Sequence, residues 1–431
     1  NDERTDCSHW CHSRVLGELG QDFRRQGQEE HRQEEGRSQG LEEIGEEKVE
    51  QKEVVDASTR SRGGVGLLVS SLAAAACLAH SALRAPAPGV NEPHYLAKAL
   101  HWIEPAWCQG DFFLESSNPH LVFYTLVGPG TAVLTFPAVT WLGRVLVLSL
   151  LATGWVAMVR RLVPDTWAGW TATTAFLLAA SIGNLSGEWV VGGFESKVVA
   201  YGLLAWSSAF GLAHRHRLAG TLCGLAISIH PIVGGWGLVL AVLARPWPID
   251  RLRLQQAALV VVCALPGIIP ALGLLGNGSP RADTVQVFAR LGHHLVPARF
   301  SLTWTTLYVA LASVWLVARF RAKRSPAETW WVRLLLGSVV VAAAGWVLAL
   351  DTPPDLADTP NLWTRLRLVS MKFYPYRLFD VLLPAALAIS APDQSGAPGA
   401  PLASSVRAPS MVKNSVTALS IAAVALAITN A

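Results

Sequence analysis

Arg217-Leu-Ala-Gly-Thr-Leu-Cys-Gly-Leu-Ala-Ile-Ser-Ile-His230-Pro231-Ile-Val-Gly234-Gly235-Trp-Gly-Leu-Val-Leu-Ala-Val-Leu-Ala244 is an apolar run with a basic cluster at each end. Arg215 and Arg217 stand at its start; Arg245, Arg251 and Arg253 follow it. Lys and Arg flanking membrane spans collect on the cytoplasmic side, so a run that starts and finishes in such clusters does not fit a single crossing. At ~1.5 Å per residue its 28 residues are too few for two full spans of a ~30 Å core and enough for two half-helices. His230-Pro231 followed by Gly234-Gly235 supplies the break, because Pro lacks a backbone donor and a Gly pair permits a turn. The expectation is a broken hairpin lining a polar interior. One kinked helix that departs from the charge rule is the alternative.

Outward from this hairpin the chain has the same character. It has 431 residues, 51% hydrophobic and 15% charged, with a mean hydropathy of +0.34. The charge is uneven. Residues 1–62 hold 16 acidic and 10 basic side chains, whereas the remaining 369 hold 15 and 25. Apolar runs lie at about 63–83, 139–159, 166–183, 198–213, 254–275, 302–318, 333–350, 377–391 and 412–430. Several reach the ~20 residues that cross a bilayer, which makes the lipid bilayer the surrounding solvent and excludes soluble enzymes, nucleic-acid binders and disulfide scaffolds. The fold class expected is an all-α polytopic transmembrane helical bundle of about nine to eleven membrane segments.

The Glu-, Gln- and Arg-rich stretch 1–62 buries too little apolar area to order itself and reads as a solvated tail. No initiating Met begins it, which leaves open an upstream extension from a misassigned start. The run 63–83 is long for a signal-peptide core and has no clear cleavage site after it, so a retained first helix is expected. Residues 63–391 form the membrane domain, 392–411 a flexible Ala/Pro/Ser/Gly linker, and 412–431 a last helix. Cys77, Cys223 and Cys263 lie in apolar runs as small hydrophobes. Cys7, His9, Cys11 and His12 lack a second ligand pair for a metal.

With the basic clusters inside, four loops share the outer face: 84–138, 184–197, 276–301 and 351–376. Within the first, Gly and Pro interruptions at 120–138 suggest short interfacial helices rather than a span. Acids dominate the early loops: Glu92, Glu104, Asp111 and Glu115 in the first, Glu188 and Glu195 in the second. A carboxylate beside Trp and Phe at a membrane surface is partly desolvated, which raises its pKa and suits a general base. Glu92 and Asp111 are the leading catalytic candidates; ordinary solvated acids among interfacial aromatics are the alternative. Glu195 and Lys197 open a helix at membrane depth, where an ionisable side chain marks either a site or a structural ion pair. His230, at the hairpin break, either faces a cavity or is a hydrogen-bonded structural residue. His293 and His294 follow Arg290 and suit phosphate or carboxylate; as neighbours on a helix they do not share a metal. Arg365, Arg367, Lys372 and Arg377 gather positive charge on the outer face, against the usual bias, which suits phosphate or lipid headgroups. No phosphate-loop, dinucleotide, serine-hydrolase or zinc-hydrolase pattern occurs. No cofactor is named by these residues, and a divalent metal stays open although no spacing supplies its ligands.

Asn91-Glu92-Pro93-His94-Tyr95, just after the first helix, resembles the Asp-Glu-x-x-Tyr loop of polytopic GT-C glycosyltransferases. Asn91 stands where that family often has Asp, which shifts the catalytic carboxylate to Glu92 or Asp111. Longer phrases such as GlyAspPhePheLeuGluSer, HisProIleValGlyGlyTrp, ArgLeuGlyHisHisLeu and PheTyrProTyrArgLeu also resemble an uncharacterised bacterial polytopic membrane family over about 90–390. The GT-C resemblance implies a site on the outer face of the bacterial inner (cytoplasmic) membrane and a polyprenyl-phosphate sugar as donor. Tyr95, Glu195, Lys197, His230, His293, His294 and the late cations would then bind substrate. The rival is a transporter or lipid-handling protein that uses the His230-Pro231 break as a passage.

Overall fold

The computed structural model describes residues 64–117, 119–245, 250–274, 279–321, 324–350, 353–354 and 361–390. The expectations for the tail 1–62, the linker 392–411 and the last helix 412–431 lie outside these residues, as do Asp351, Asp355 and Asp358. The chain divides into two units, 1–66 and 67–431; the architecture below is that of the second.

Among the described residues there are helices and no strands. In order they are α1 (Gly64–Arg84), α2 (Glu92–Ile103), α3 (Phe112–Glu115), α4 (Leu121–Val133), α5 (Phe136–Leu162), α6 (Ala168–Ile182), α7 (Ser196–Leu212) and α8 (His216–Ile229). Then come α9 (Pro231–Ala244), α10 (Arg251–Leu272), α11 (Pro280–Thr284), α12 (Gly292–Leu295), α13 (Leu302–Arg321), α14 (Pro326–Leu348), α15 (Leu362–Met371) and α16 (Arg377–Ser390). A π-helical turn, Val285–Arg290, joins α11 to α12. Five helices, α1, α5, α10, α13 and α14, are long and apolar enough to cross a membrane. The fold is thus the all-α bundle expected of an integral membrane protein, and α4 is one of the short helices anticipated in the first loop.

Helix ends follow local chemistry. Ser325 and Glu328 form a reciprocal capping box at the start of α14, with Pro326 at its first position. Asp250 caps α10 by accepting the Arg253 amide at 2.8 Å. Between helices, small residues set the spacing. In α8, a Cβ on Gly220 would lie 2.6 Å from the Gln256 carbonyl oxygen and one on Gly224 2.6 Å from that of Val260, so α8 and α10 meet with backbones nearly touching. Without a hydrophobic drive between helices in lipid, such small-residue contacts carry the association.

The run 217–244 is the hairpin anticipated from its flanking charges. His230 interrupts it with an extended backbone (φ −143°, ψ 92°) and caps α9. Gly234 of α9 comes against the backbone of Ala226 and Ile227 in α8, residues a continuous helix would carry two turns away. At the far end Arg245 lies beside Gly211 of α7 and donates to Gln256 of α10 at 2.6 Å. Both ends of the hairpin therefore sit together and His230 occupies its tip. Helices α7, α9 and α16 all start at the tip end and finish away from it. Arg319, bonded to Ser390 at the close of α16, belongs to that opposite end.

Candidate functional site

The loop between α6 and α7, residues 183–195, packs into the bundle rather than over its surface. Buried loop backbone needs partners for its amides, and two buried carboxylates supply them. Asp380, one turn into α16, accepts from the Leu185, Ser186 and Glu188 amides at 2.6, 2.9 and 3.0 Å and from the Ser186 hydroxyl at 3.0 Å. Glu92, at the start of α2, accepts from the Phe194 and Gly89 amides and from the Arg144 guanidinium at 2.8 and 2.7 Å. Arg144 also donates to the Ala85 and Pro86 carbonyls. Ser81 of α1 bonds the Gly192 carbonyl.

So clamped, the loop presents Glu188 and Glu195 beside the hairpin tip. The Glu188 carboxylate lies 2.9 Å from Nε of Arg377, 3.1 Å from the Tyr201 hydroxyl and 4.0 Å from the Lys197 ammonium. Lys197 also meets Glu195 at 3.4 Å, and Glu195 takes Asn91 Nδ2 at 3.4 Å. The Glu188, Glu195, Lys197 and Arg377 side chains are at most 13% exposed, whereas Asn91 is at the surface. Aromatic rings close round them. Tyr95 approaches His120, Phe123 and Tyr124 with centroids 5.7, 5.5 and 6.1 Å away, and the His120 ring lies 4.6 Å from that of His230. The Tyr374 ring sits 4.1 Å under the Arg377 guanidinium, held there by a left-handed backbone (φ 54°) that a bulky residue rarely adopts. His294 bonds the Ser186 carbonyl from the third loop, and Gly187 (φ 81°) makes room: a Cβ there would lie 2.6 Å from the imidazole.

Burial sets the protonation of the loop groups. It pushes the Tyr95 phenol well above its ordinary range, with the nearby Glu195 carboxylate adding to the effect. His120 is driven down to about 4 by burial, against a hydrogen bond to the Ile229 backbone. Burial likewise lowers His294 despite its bond to Ser186. Both imidazoles are neutral near pH 7.

Of the residues singled out from the sequence, Tyr95, Glu195, Lys197, His230, His294 and Arg377 come together. Glu92 does not join them as a reactive group: it is fully buried with both oxygens bonded, so it positions the loop. Asp111 is exposed and caps α3 by accepting the Leu114 amide at 2.9 Å. His293 is exposed, its ring 4.0 Å from that of His294. The expected clamp of four late cations is not assembled. Arg365 is exposed on α15, Arg367 is buried with its guanidinium over Phe288, and Lys372 pairs with Asp283 at 2.6 Å. Arg367 lies beside a separate small core of Val287, Phe288, Leu295, Val296, Leu368 and Met371.

Sequence reading passed over Arg144, Asp380, Tyr201 and His120 and gave Glu188 no role. Arg144 and Asp380 carried a usable signal, a lone charge inside an apolar run. His120 carried none. Among the described residues no three His, Cys, Asp or Glu side chains meet as a metal-ligand set.

Below the cluster is a partly enclosed cavity of about 140 Å³ between α5, α6, α7, α9, α14 and α16. Tyr201, whose hydroxyl reaches Glu188, is in its wall, as are Val190 and Val191 of the clamped loop. The fold and this site define an integral membrane protein with an enclosed polar centre. No protein-family model, curated protein or solved structure matches the chain.

Proposed function

We propose that this protein is a glycosyltransferase of the bacterial inner membrane that moves a sugar from a polyprenyl-phosphate donor on the outer face. The observation that carries the reading is the enclosed Glu188–Arg377–Lys197–Glu195 set, in which each carboxylate touches a cation. A ligand that has both a phosphate and sugar hydroxyls offers partners to both signs of charge. Helices α7 and α16, which begin at this set, have 17 and 14 residues, about 25 and 21 Å at ~1.5 Å each. In this reading both helices end at the cytoplasmic surface, and their lengths then support a set lying within the ~30 Å hydrocarbon thickness, where lipid-borne substrates arrive.

In this mechanism the donor phosphate takes Arg377 and Lys197. Glu188, deprived of its cations, becomes the stronger base and accepts the proton of the acceptor hydroxyl. The acceptor oxygen bonds to the anomeric carbon, and the bond from that carbon to the phosphate oxygen breaks. The lipid phosphate leaves with the electron pair, stabilised by the same two cations. Glu188 thus takes the role assigned from sequence to Glu92 or Asp111, because Glu92 is fully engaged in the clamp and Asp111 caps a surface helix. Tyr95, Glu195, His230 and His294 line the substrate. Glu188→Gln should abolish transfer from a short-chain prenyl-phosphate sugar without loss of folded protein; unchanged turnover would remove the assignment.

The second reading, a transporter or lipid-handling protein, draws on the hairpin break, since broken helices line many transport sites. It predicts counterflow of labelled lipid in vesicles and no new glycosidic bond.

A further inference from the structure

From the cavity beneath Tyr201 we infer a second subsite, one that takes a single hydrocarbon chain of the amphiphile whose phosphate occupies the polar cluster. This rests on the reading of that cluster as a headgroup site. The cavity wall is apolar, with Leu151, Trp155, Phe176, Leu204, Leu240 and Trp331 around it. Two of its hydroxyls are engaged by backbone: Thr173 donates to the Gly169 carbonyl at 2.6 Å and Ser207 to the Ala219 carbonyl at 2.8 Å. No charged side chain lines the cavity, and its unpartnered polar atoms are the neutral indole N–H groups of Trp155 and Trp331. A largely apolar cavity of this size accepts a hydrocarbon.

Continuity with the polar cluster identifies the occupant. Tyr201 belongs to both, with its ring in the cavity wall and its hydroxyl on Glu188. Leu378 and Val381, just past Arg377 on α16, are in the wall as well. From Tyr201 to Ser208 the wall follows α7 for seven residues, about 10 Å. A chain attached to a phosphate at Arg377 enters directly. The wall length of about 10 Å and the volume of about 140 Å³ suit the phosphate-proximal carbons of one such chain and not the two chains of a bulk phospholipid.

The test compares butyl phosphate with decyl phosphate on the full-length protein held in amphipol. Wild type should bind decyl phosphate at least tenfold more tightly than butyl phosphate. Ala205→Phe and Ala241→Phe, which fill the cavity from two sides, should each remove that preference and leave butyl phosphate binding as it was. Arg377→Ala should weaken both ligands. A chain-length preference that survives in both filled variants would overturn the chain subsite while leaving the headgroup reading intact. Absence of binding by either phosphate to wild type, or indifference of both to Arg377→Ala, would overturn the headgroup reading and the subsite with it.

Discussion

The ion pairs beside His230 and those at the opposite end of the bundle use the same residue types in different surroundings. Glu92–Arg144 and Glu188–Arg377 are enclosed, with side chains 0% and at most 13% exposed. Arg319–Glu328 at 3.7 Å and Arg253–Asp250 at 3.9 Å are looser and 22–58% exposed. Enclosing two charges costs several kcal/mol per ion in desolvation. An exposed pair costs almost nothing and contributes about 0–1 kcal/mol. The enclosed pairs stand where further bonds compensate them: Arg144 donates to two carbonyls, Glu92 accepts two loop amides and Glu188 accepts the Tyr201 hydroxyl. Charge of that kind specifies the shape of a buried loop; charge at the other end stays at the surface.

The largest expected effect tests the enclosed side of this contrast. Arg144→Ala leaves Glu92 buried without its cation and should lower stability by about 3–5 kcal/mol, read as a fall in the thermal midpoint in detergent; a midpoint within error of wild type would mean the pair is not enclosed. Next, Asp380→Asn should cost roughly 2–3 kcal/mol as loop amides lose a charged acceptor, with faster amide exchange confined to residues 185–188. Global exchange instead would show that the loop is not a separate element.

Acid should sharpen the same contrast. The folded-state pKa of His120 is about 4, below its ordinary value of 6.5, so between these values the unfolded chain binds a proton that the folded chain refuses. Stability is then fully present above pH 6.5 and falls as pH drops toward 4, by up to about 1.4 kcal/mol per pH unit. His120→Gln should flatten that slope; an identical slope would assign it to other groups. Smallest of all, Arg253→Ala at the exposed end should change stability by about 0.5 kcal/mol or less, and a loss above 2 kcal/mol would erase the distinction between the two ends.

Much of this bundle was legible because apolar length and Arg placement report on the bilayer directly. The runs at 63–83 and 139–159 correspond to α1 and α5, and the charge conflict across 217–244 foretold the turn at His230. The site was legible in part. Tyr95, Glu195, Lys197, His230, His294 and Arg377 were recognised as polar groups in or beside apolar segments, which is a local property. What separates Glu92 from Glu188 is not local: the first meets Arg144, 52 residues away, and the second Arg377 from the last described helix. Likewise Arg367 and Lys372 look like Arg377 in sequence and differ in their partners, Phe288 and Asp283. Loop charges report their number before folding, and their partners only after it.

The central claim, that the enclosed cluster holds the phosphate of a lipid-linked sugar, is tested most directly by mass spectrometry of lipids that co-purify in mild detergent with wild type, Arg377→Lys and Arg377→Ala. The account predicts a polyprenyl phosphate or its glycosylated form bound to wild type, reduced in Arg377→Lys and depleted in Arg377→Ala, with all three folded. Only bulk phospholipid, equal in the three proteins, would contradict it.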